Sequence, residues 1–397
     1  MLSGRRSIGC EAGWTSGGAA PGLALCAPFV ILGLTGSVLV FEDELNEAFG
    51  PAASHIAAGG AAWPTSEIVA AARAVAPAGF VPVTYVAPLA AGRLASVRLS
   101  PARRDTPGAD AMRVSVDPVS LDTIPDPQSG FLRQVFFLHS TLLLKNREGR
   151  QLVGWLGVAM LVMGVSGLVN WWPRSREWRT AFTASRRARG FQLYRELHGA
   201  AGIWGLLVFV TVSFAGIYLA FPESVRNVVD RVLPARDLRA SAAAIRVEPI
   251  AGAEPIDIDE AIALARSSVP DSEPGLVFLP MRPDQPFRIG LLRSGQERRS
   301  PAVTVFVDPW ARRIVQIFDP RQFSLGEEIL AWQHAVHAGQ ALGWVWKIPV
   351  FLCGLLPLLF AVSGVTMWRL KRRPQKSLSA ASGPVPDHVY TARRAGE

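Results

Sequence analysis

Four stretches of the chain are apolar and uncharged over the length of a bilayer span. They cover residues 23–41, 152–172, 199–222 and 348–368, and none contains Asp, Glu, Lys or Arg. About 20 apolar residues in a helix cross a hydrocarbon core of roughly 30 Å. The pattern therefore predicts four transmembrane helices.

The long connections, between spans one and two and between spans three and four, show other spacings of their apolar residues. Apolar residues recur at helical spacing over 66–75 and 258–266, and alternate with polar ones over 95–99, 114–118, 287–292 and 303–309. This order is typical of a helix packed on a small antiparallel sheet. Each connection is predicted to be a small α+β domain.

The spans form two similar pairs. The first and third carry Thr35-Gly36 and Ala215-Gly216 before an apolar run that ends in Phe, whereas the second and fourth carry Ser-Gly, then Trp, then Arg. The repeated order indicates an internal duplication over roughly residues 1–173 and 195–373. We interpret the small residue followed by Gly mainly as a close helix contact, with close approach of a flat macrocycle as the alternative.

Basic residues orient the chain in the membrane. They cluster at 174–195 and 369–376, so the positive-inside rule places both segments and both termini in the cytoplasm. These clusters and anionic lipid account for the net charge of +9, and no nucleic-acid partner is predicted. Membrane lipid is one predicted partner.

The predicted fold class is a membrane α-helical bundle of four transmembrane helices with two small α+β extracytoplasmic domains. The predicted segments are a divergent cytoplasmic N-terminus (1–22), span one (23–41), the first outer domain (42–133), a juxtamembrane helix with His139 (134–151), span two (152–172), a basic cytoplasmic loop (173–197), span three (198–222), the second outer domain (223–324), a juxtamembrane helix with His334 and His337 (325–347), span four (348–368) and a basic cytoplasmic tail (369–397).

Two histidines recur at nearly the same distance before the Ser-Gly pairs. His139 lies 27 residues before Ser166, and His337 lies 26 before Ser363. A histidine at the membrane surface is costly to keep, and one repeated in register suggests a paired metal ligand. The alternative is a pair of interfacial side chains bonded to headgroups or backbone. The three cysteines form no Cys-x-x-Cys-His motif for covalent haem attachment.

Several motifs together resemble the PepSY-associated transmembrane proteins, a family that includes inner-membrane ferric siderophore reductases and other iron-regulated proteins. The residues that carry the resemblance are LTGSVLVF, LHSTLLL, SGLVNWWPR, LHGAAGIWG, VHAGQALG and SGVTMWRLKRR, with the VxVDP strands of both outer domains. The resemblance covers nearly the whole chain after residue 23. It implies periplasmic PepSY domains and two b-type haems held by histidines near the span ends.

Carried onto this chain, the resemblance implies an outer haem between His139 and His337. His334 is then a neighbouring partner or alternate ligand, three residues earlier on the same helix. His198 would serve an inner haem, because it lies 18 residues before Gly216, about 27 Å along a helix. The alternative for His198 is a capping or interfacial side chain.

The inner haem lacks its second histidine. The position that corresponds to His198 in span one is Gly18, and no histidine precedes His55. Either the protein kept only the outer haem, or the recorded N-terminus carries an error or frameshift. The residues predict one haem b and leave the second open. His55 and His388 are assigned no role.

Arginines near His139 form a second candidate group. Arg147 and Arg150, with Arg133 and Lys145, crowd a face that the charge bias places outside. Guanidinium groups there could bind haem propionates or an anionic iron chelate, or could form a solvated charge cluster.

The leading functional prediction is a b-type haem oxidoreductase that passes electrons to an acceptor at the periplasmic face, with a ferric siderophore or another ferric chelate as the candidate substrate. No flavin or nicotinamide motif follows span four, so a separate electron donor is required. The alternative is a non-enzymatic PepSY-domain membrane protein that binds or regulates an envelope protease or another partner. A transporter is disfavoured because the spans lack charged residues for coupling.

Overall fold

The structure is a computed structural model, and it describes residues 16–49, 60–88, 92–102, 111–125, 130–144, 146–172, 178–297 and 300–372. The helices are α1 (Ser16–Leu39), α2 (Glu42–Phe49), α3 (Thr65–Ala74), α4 (Gly130–Thr141), α5 (Asn146–Trp171), α6 (Trp178–Ala181), α7 (Gly190–Ala220), α8 (Pro222–Asp230), α9 (Leu238–Ala244), α10 (Ile258–Ser268), α11 (Leu325–His337) and α12 (Trp344–Arg372). The strands are β1 (Phe80–Val86), β2 (Ala95–Pro101), β3 (Met112–Val116), β4 (Thr123–Pro125), β5 (Ser272–Phe278), β6 (Phe287–Arg293), β7 (Val303–Asp308) and β8 (Arg313–Phe318).

Three helices of the described residues are long and apolar enough to cross a membrane. They are Arg147–Trp171, Gly190–Ala220 and Trp344–Arg372, while Leu25–Leu39 of α1 forms a shorter apolar helix. Many of their large apolar side chains are exposed, as expected for surfaces that face lipid. The chain is a multi-pass membrane protein. The fourth span stays a prediction.

The long helices pack mainly as neighbours in the order α1, α12, α7 and α5. The two shorter helices that carry the outer histidines then pack on different spans, because α4 lies on α1 and α11 lies on α7. Since α1 and α7 both pack on α12, this arrangement brings His139 and His337 close together.

Each predicted juxtamembrane helix is interrupted before its span. The predicted helix 134–151 ends at Thr141 and resumes at Asn146, because Leu142 and Leu143 adopt positive φ of 52° and 59°. The predicted segment 325–347 breaks in the same way, with Gly339 and Gly343 at φ 75° and 56°. The left-handed backbone cannot continue a right-handed helix, so each histidine helix turns away from the span that follows.

The two outer segments form one continuous sheet rather than two separate domains. Its strand order is β4-β3-β2-β1-β5-β6-β7-β8, and all neighbours are antiparallel. The halves meet where Tyr85 of β1 pairs with Val277 of β5. The structure confirms the predicted helices α3 and α10 and the predicted strands β2, β3, β6 and β7. The sequence did not predict that β1 and β5 would pair and join the two halves.

Helices α3 and α10 cover one face of this sheet. Alternate residues of the strands point into the core between them, including Val97, Leu99, Ile289 and Val305, and all four are fully buried. The carboxylate of Asp259 in α10 accepts hydrogen bonds from the backbone N–H groups of Thr65 and Ser66, at 2.8 and 3.1 Å. This carboxylate therefore pairs the free backbone N–H groups in the first turn of α3, and it links the first half of the sheet domain to the second.

Candidate functional site

His139 lies in the last turn of α4 and reaches the backbone of α1. Its Nδ1 lies 3.1 Å from the carbonyl oxygen of Leu32 and 3.1 Å from Oγ1 of Thr35. The Thr35 hydroxyl donates its own proton to the Ile31 carbonyl at 2.6 Å, so it accepts from the ring. Since both partners accept, Nδ1 carries the proton, and Nε2 keeps a free lone pair.

His337 ends α11 and makes the equivalent contact with α7. Its Nδ1 donates to the carbonyl oxygen of Val212 at 3.0 Å. Leu32 lies four residues before Gly36, and Val212 lies four residues before Gly216. Both imidazoles are therefore bonded at equivalent places of the repeat, with Nε2 available as a ligand.

The glycines of spans one and three make room for these rings. A Cβ atom at Gly36 would lie 3.0 Å from Cε1 of His139, and one at Gly216 would lie 2.9 Å from Cε1 of His337. Any side chain at either position would displace the imidazole. Each glycine lies where a histidine helix packs on a long helix, so both are at a close helix contact, as the sequence predicts. A Cβ at Gly167 or Gly364, in the other two pairs, meets no atom within 4 Å.

The two imidazoles lie close to each other. Their ring centres are 6.0 Å apart, and the ring planes are inclined by 45°. Imidazole nitrogens bind transition metals at about 2 Å, so two rings on opposite sides of one ion have centres about 6 Å apart. Haem iron takes four nitrogens from the porphyrin and two axial ligands from the protein. The observed separation is close to that of two imidazoles that bind one metal ion.

Burial keeps both imidazoles neutral. Burial, and next the charge of His337, lower the pKa of His139 to about 4, although its bond to the Leu32 carbonyl acts in the opposite direction. Burial likewise lowers the pKa of His337, against the bond to Val212. Only the neutral imidazole can bind a metal, so both rings are ready ligands at neutral pH.

An ion pair fixes the start of the helix that carries His337. Ser324 and Glu327 form a capping box at the first turn of α11, and the guanidinium of Arg236 hydrogen-bonds both carboxylate oxygens of Glu327. Those bonds from Arg236 are the main reason that the pKa of Glu327 is lowered. The pair ties α11 to the segment before α9, and so positions His337 from the opposite end of the helix.

His198 lies on α7, 14 residues before Val212, or roughly 21 Å along the helix from the level of the histidine pair. Its Nδ1 is 2.8 Å from Oγ of Ser363 on α12, and its ring contacts Phe360 with centres 4.6 Å apart. Ser363 donates to the Leu359 carbonyl at 2.7 Å, so its oxygen accepts from His198. Sequence reasoning treated Ser363 as a small packing residue and missed this bond.

The other predicted site residues lie outside the pair. His334 is exposed three residues before His337, and Arg147 and Arg150 are exposed in the first turns of α5. Neither arginine forms a hydrogen bond or ion pair with the part of the chain that the structure describes. Gly18 lies in the first turn of α1. Lys145, His55 and His388 lie outside the described residues.

No group of three or more metal-ligating side chains is gathered among the described residues. The donor set is therefore a pair of imidazoles, from α4 and α11, with one further histidine on α7.

The family model for the PepSY-associated TM region matches residues 20–371, nearly the whole chain. The chain belongs to this family. The match includes both histidine helices, the continuous sheet and the long helices, so all parts of the candidate site lie within the PepSY-associated TM region. No curated protein matches the chain.

Proposed function

We propose that the protein is a haem-binding electron-transfer protein of a bacterial inner membrane, with one haem b held between His139 and His337. The observation that supports it is the pair of imidazoles 6.0 Å apart, each with Nδ1 bonded to a backbone carbonyl. That arrangement leaves two Nε2 donors, from His139 and His337, that would hold the haem iron.

The residues around the pair would bind and orient the cofactor. The carbonyls of Leu32 and Val212 fix the tautomer and the direction of each ring, and Gly36 and Gly216 leave space beside it. Bound there, haem would supply one-electron transfer between its ferric and ferrous states. Two histidine ligands on the iron would favour electron transfer over oxygen chemistry.

The proposal includes four spans and two PepSY-like units. Helix α1 would be the fourth span, since it extends over 24 residues and contains the apolar stretch Leu25–Leu39. Each half of the sheet with its helix, α3 or α10, would be one PepSY-like unit outside the membrane. The basic segments place both termini in the cytoplasm.

The electron acceptor we propose is a ferric siderophore or another ferric chelate at the periplasmic face. The histidine helices α4 and α11 lie between the sheet and the spans along the chain, which would place the haem near that face. Electrons would come from a separate donor. His198, about 21 Å along α7 from the pair, would lie toward the cytoplasmic side, and no described histidine of α1 faces it as a partner.

The test is the visible spectrum of the full-length protein, purified in detergent from cells supplied with a haem precursor. We expect sharp α and β bands on reduction and one haem per chain. His139→Ala and His337→Ala should each abolish these bands. His334→Ala is the matched control, because it removes an exposed histidine from the same helix, and it should leave the spectrum unchanged.

A colourless preparation of folded protein would contradict the proposal and favour the non-enzymatic PepSY-domain alternative. Haem that persists in the His139→Ala and His337→Ala variants would also contradict it. Reduction of a ferric siderophore by the pre-reduced protein, followed as reoxidation of the α band, tests the acceptor separately.

A further inference from the structure

A row of side chains crosses the sheet on the face away from α3 and α10. Paired residues of five adjacent strands form it, in the order Arg98, Thr84, Phe278, Arg288 and Phe306. Their strand neighbours, such as Val97 and Ile289, point into the core. The row therefore spans the junction of the two halves, and it places one arginine in each half, on β2 and on β6.

Helix α9 lies beside this row and forms with it an open cavity of about 450 Å³. Its walls combine arginines with hydroxyl groups and aromatic rings, including Thr84, Ser100, Phe278 and Phe306. Ligand sites of this size hold small organic molecules. The lining contains no residue of the histidine pair, so the cavity is separate from the proposed haem site.

The charge around this cavity is not balanced. Arg98, Arg239 and Arg288 line it and form no hydrogen bond or salt bridge with any residue that the structure describes, whereas the fourth arginine, Arg246, pairs with Asp284 at 3.2 Å. Arg288 is partly buried and rests on the ring of Phe278, 3.6 Å from its centre. Burial, and next the charge of Arg239, lower the pKa of Arg288. The cavity therefore concentrates positive charge that no described carboxylate neutralises.

The equivalent place on the other side of the junction lacks this charge. The strand pairing there forms the row Ser96, Val86, Leu276 and Gly290, which contains no ionisable side chain. The sheet repeat thus offers two similar rows, and only the row beside α9 contains arginines. A general need for solubility would not separate the two positions in this way.

We propose that this cavity binds a small polycarboxylate anion. Guanidinium groups bind carboxylates through two parallel hydrogen bonds, and three of them on β2, β6 and α9 suit a ligand with several separated carboxylates. The volume exceeds what one inorganic anion needs, and the aromatic rings would contact the carbon skeleton. Binding would neutralise the uncompensated charge of Arg239 and Arg288, and so would fix α9 against the sheet.

The experiment is calorimetric titration of the full-length protein in a zwitterionic detergent with citrate, acetate or inorganic phosphate. We expect saturable binding of citrate at low ionic strength, weaker at high salt, and much weaker binding of acetate and phosphate. Arg288→Gln and Arg239→Gln should each weaken citrate binding at least about tenfold, since each removes charge-assisted hydrogen bonds.

Arg113→Gln is the matched control. Arg113 pairs with Arg98 in the sheet, lies on the same face and is exposed, but does not line the cavity. The same loss of charge there should change the affinity for citrate by less than about twofold, because an exposed charge outside the cavity interacts only weakly with a bound anion. If Arg288→Gln fails to fold, Arg239→Gln on the exposed side of α9 gives the same measurement.

Three results would overturn the proposal. They are the absence of saturable citrate binding to folded protein, an equal loss of affinity in Arg113→Gln and Arg239→Gln, and phosphate binding as tight as citrate binding. None of them depends on haem content, so this site and the proposed function can fail separately.

Discussion

In the first half of the chain, His139 lies against Gly36 and donates to the carbonyl of Leu32; in the second half, His337 lies against Gly216 and donates to the carbonyl of Val212. Other positions of the repeat differ. Thr35 corresponds to Ala215, and Gly18 corresponds to His198. The turn after the histidine helix uses Leu142 and Leu143 in one half and two glycines in the other.

The comparison shows what the histidine pair requires. Each ring needs a backbone carbonyl one helical turn before a glycine, and a turn that ends its own helix. Neither requirement depends on a particular polar side chain, so the halves can differ at Thr35 and still hold the ring. The inner position depends on one side chain, His198, and there the halves differ completely.

The largest effect should come from filling the space beside either ring. Gly36→Val and Gly216→Val would each place a side chain within about 3 Å of an imidazole and should abolish haem binding to the same degree. The measurement is haem absorbance per chain in purified protein. Gly167→Val and Gly364→Val are controls of equal chemistry, because a Cβ there meets no atom within 4 Å. Full haem content in Gly36→Val would show that the halves are not equivalent.

Loss of the ion pair at α11 should affect only the second half. Glu327→Gln should lower the free energy of unfolding by about 1–2 kcal/mol, since the carboxylate is buried but its partner Arg236 is largely exposed. Glu328→Gln, an exposed neighbour on the same helix, is the control and should have little effect.

The same pair predicts a pH dependence. The lowered pKa of Glu327 means that the folded protein holds fewer protons than the unfolded chain, so this carboxylate stabilises the fold at neutral pH. That contribution should disappear as the pH falls below the usual carboxyl range. Thermal unfolding followed from pH 7 down to about pH 2 should therefore show the difference between wild type and Glu327→Gln shrinking below about pH 4.5. A constant difference would contradict the assignment.

A smaller effect should follow when the first half is made like the second. Thr35→Ala removes one of two acceptors for the His139 Nδ1–H and leaves the Leu32 carbonyl. We expect haem to be retained and the free energy of unfolding to fall by about 0.5–1 kcal/mol. Thr366→Ala removes a similar hydroxyl on α12, bonded only to the Val362 carbonyl, and controls for the helix itself. Loss of haem in Thr35→Ala would mean that the second acceptor is essential.

The smallest effect on the outer site should come from the inner histidine. His198→Ala should leave one haem per chain and an unchanged outer spectrum, because no described histidine of α1 pairs with His198. Haem content and the reduced spectrum give the measurement. A fall from two haems to one would show that the first half supplies an inner ligand other than histidine.

Much of the fold could be predicted from local patterns. Apolar runs gave the three long helices, and period-two alternation gave β2, β3, β6 and β7. The strands β1 and β5 were missed, since Pro82 and Pro274 interrupt their alternation and each lies at a register shift. Within the candidate site, the repeat selected His139 and His337 and the glycines beside them, but it did not indicate that Ser363 bonds to His198.

The sequence by itself determined which segments are apolar, which are repeated and which histidines occupy matching positions, because those properties depend on residues near one another in the chain. Only the tertiary structure decided that His139 contacts Leu32, 107 positions away, that the two half-sheets join at Tyr85 and Val277, and that Arg98 and Arg288 share one cavity. Those contacts depend on which faces of distant elements pack together. The spacing of apolar residues defines the buried face of each helix or strand. Which elements pack together depends on burying all of these faces at the same time.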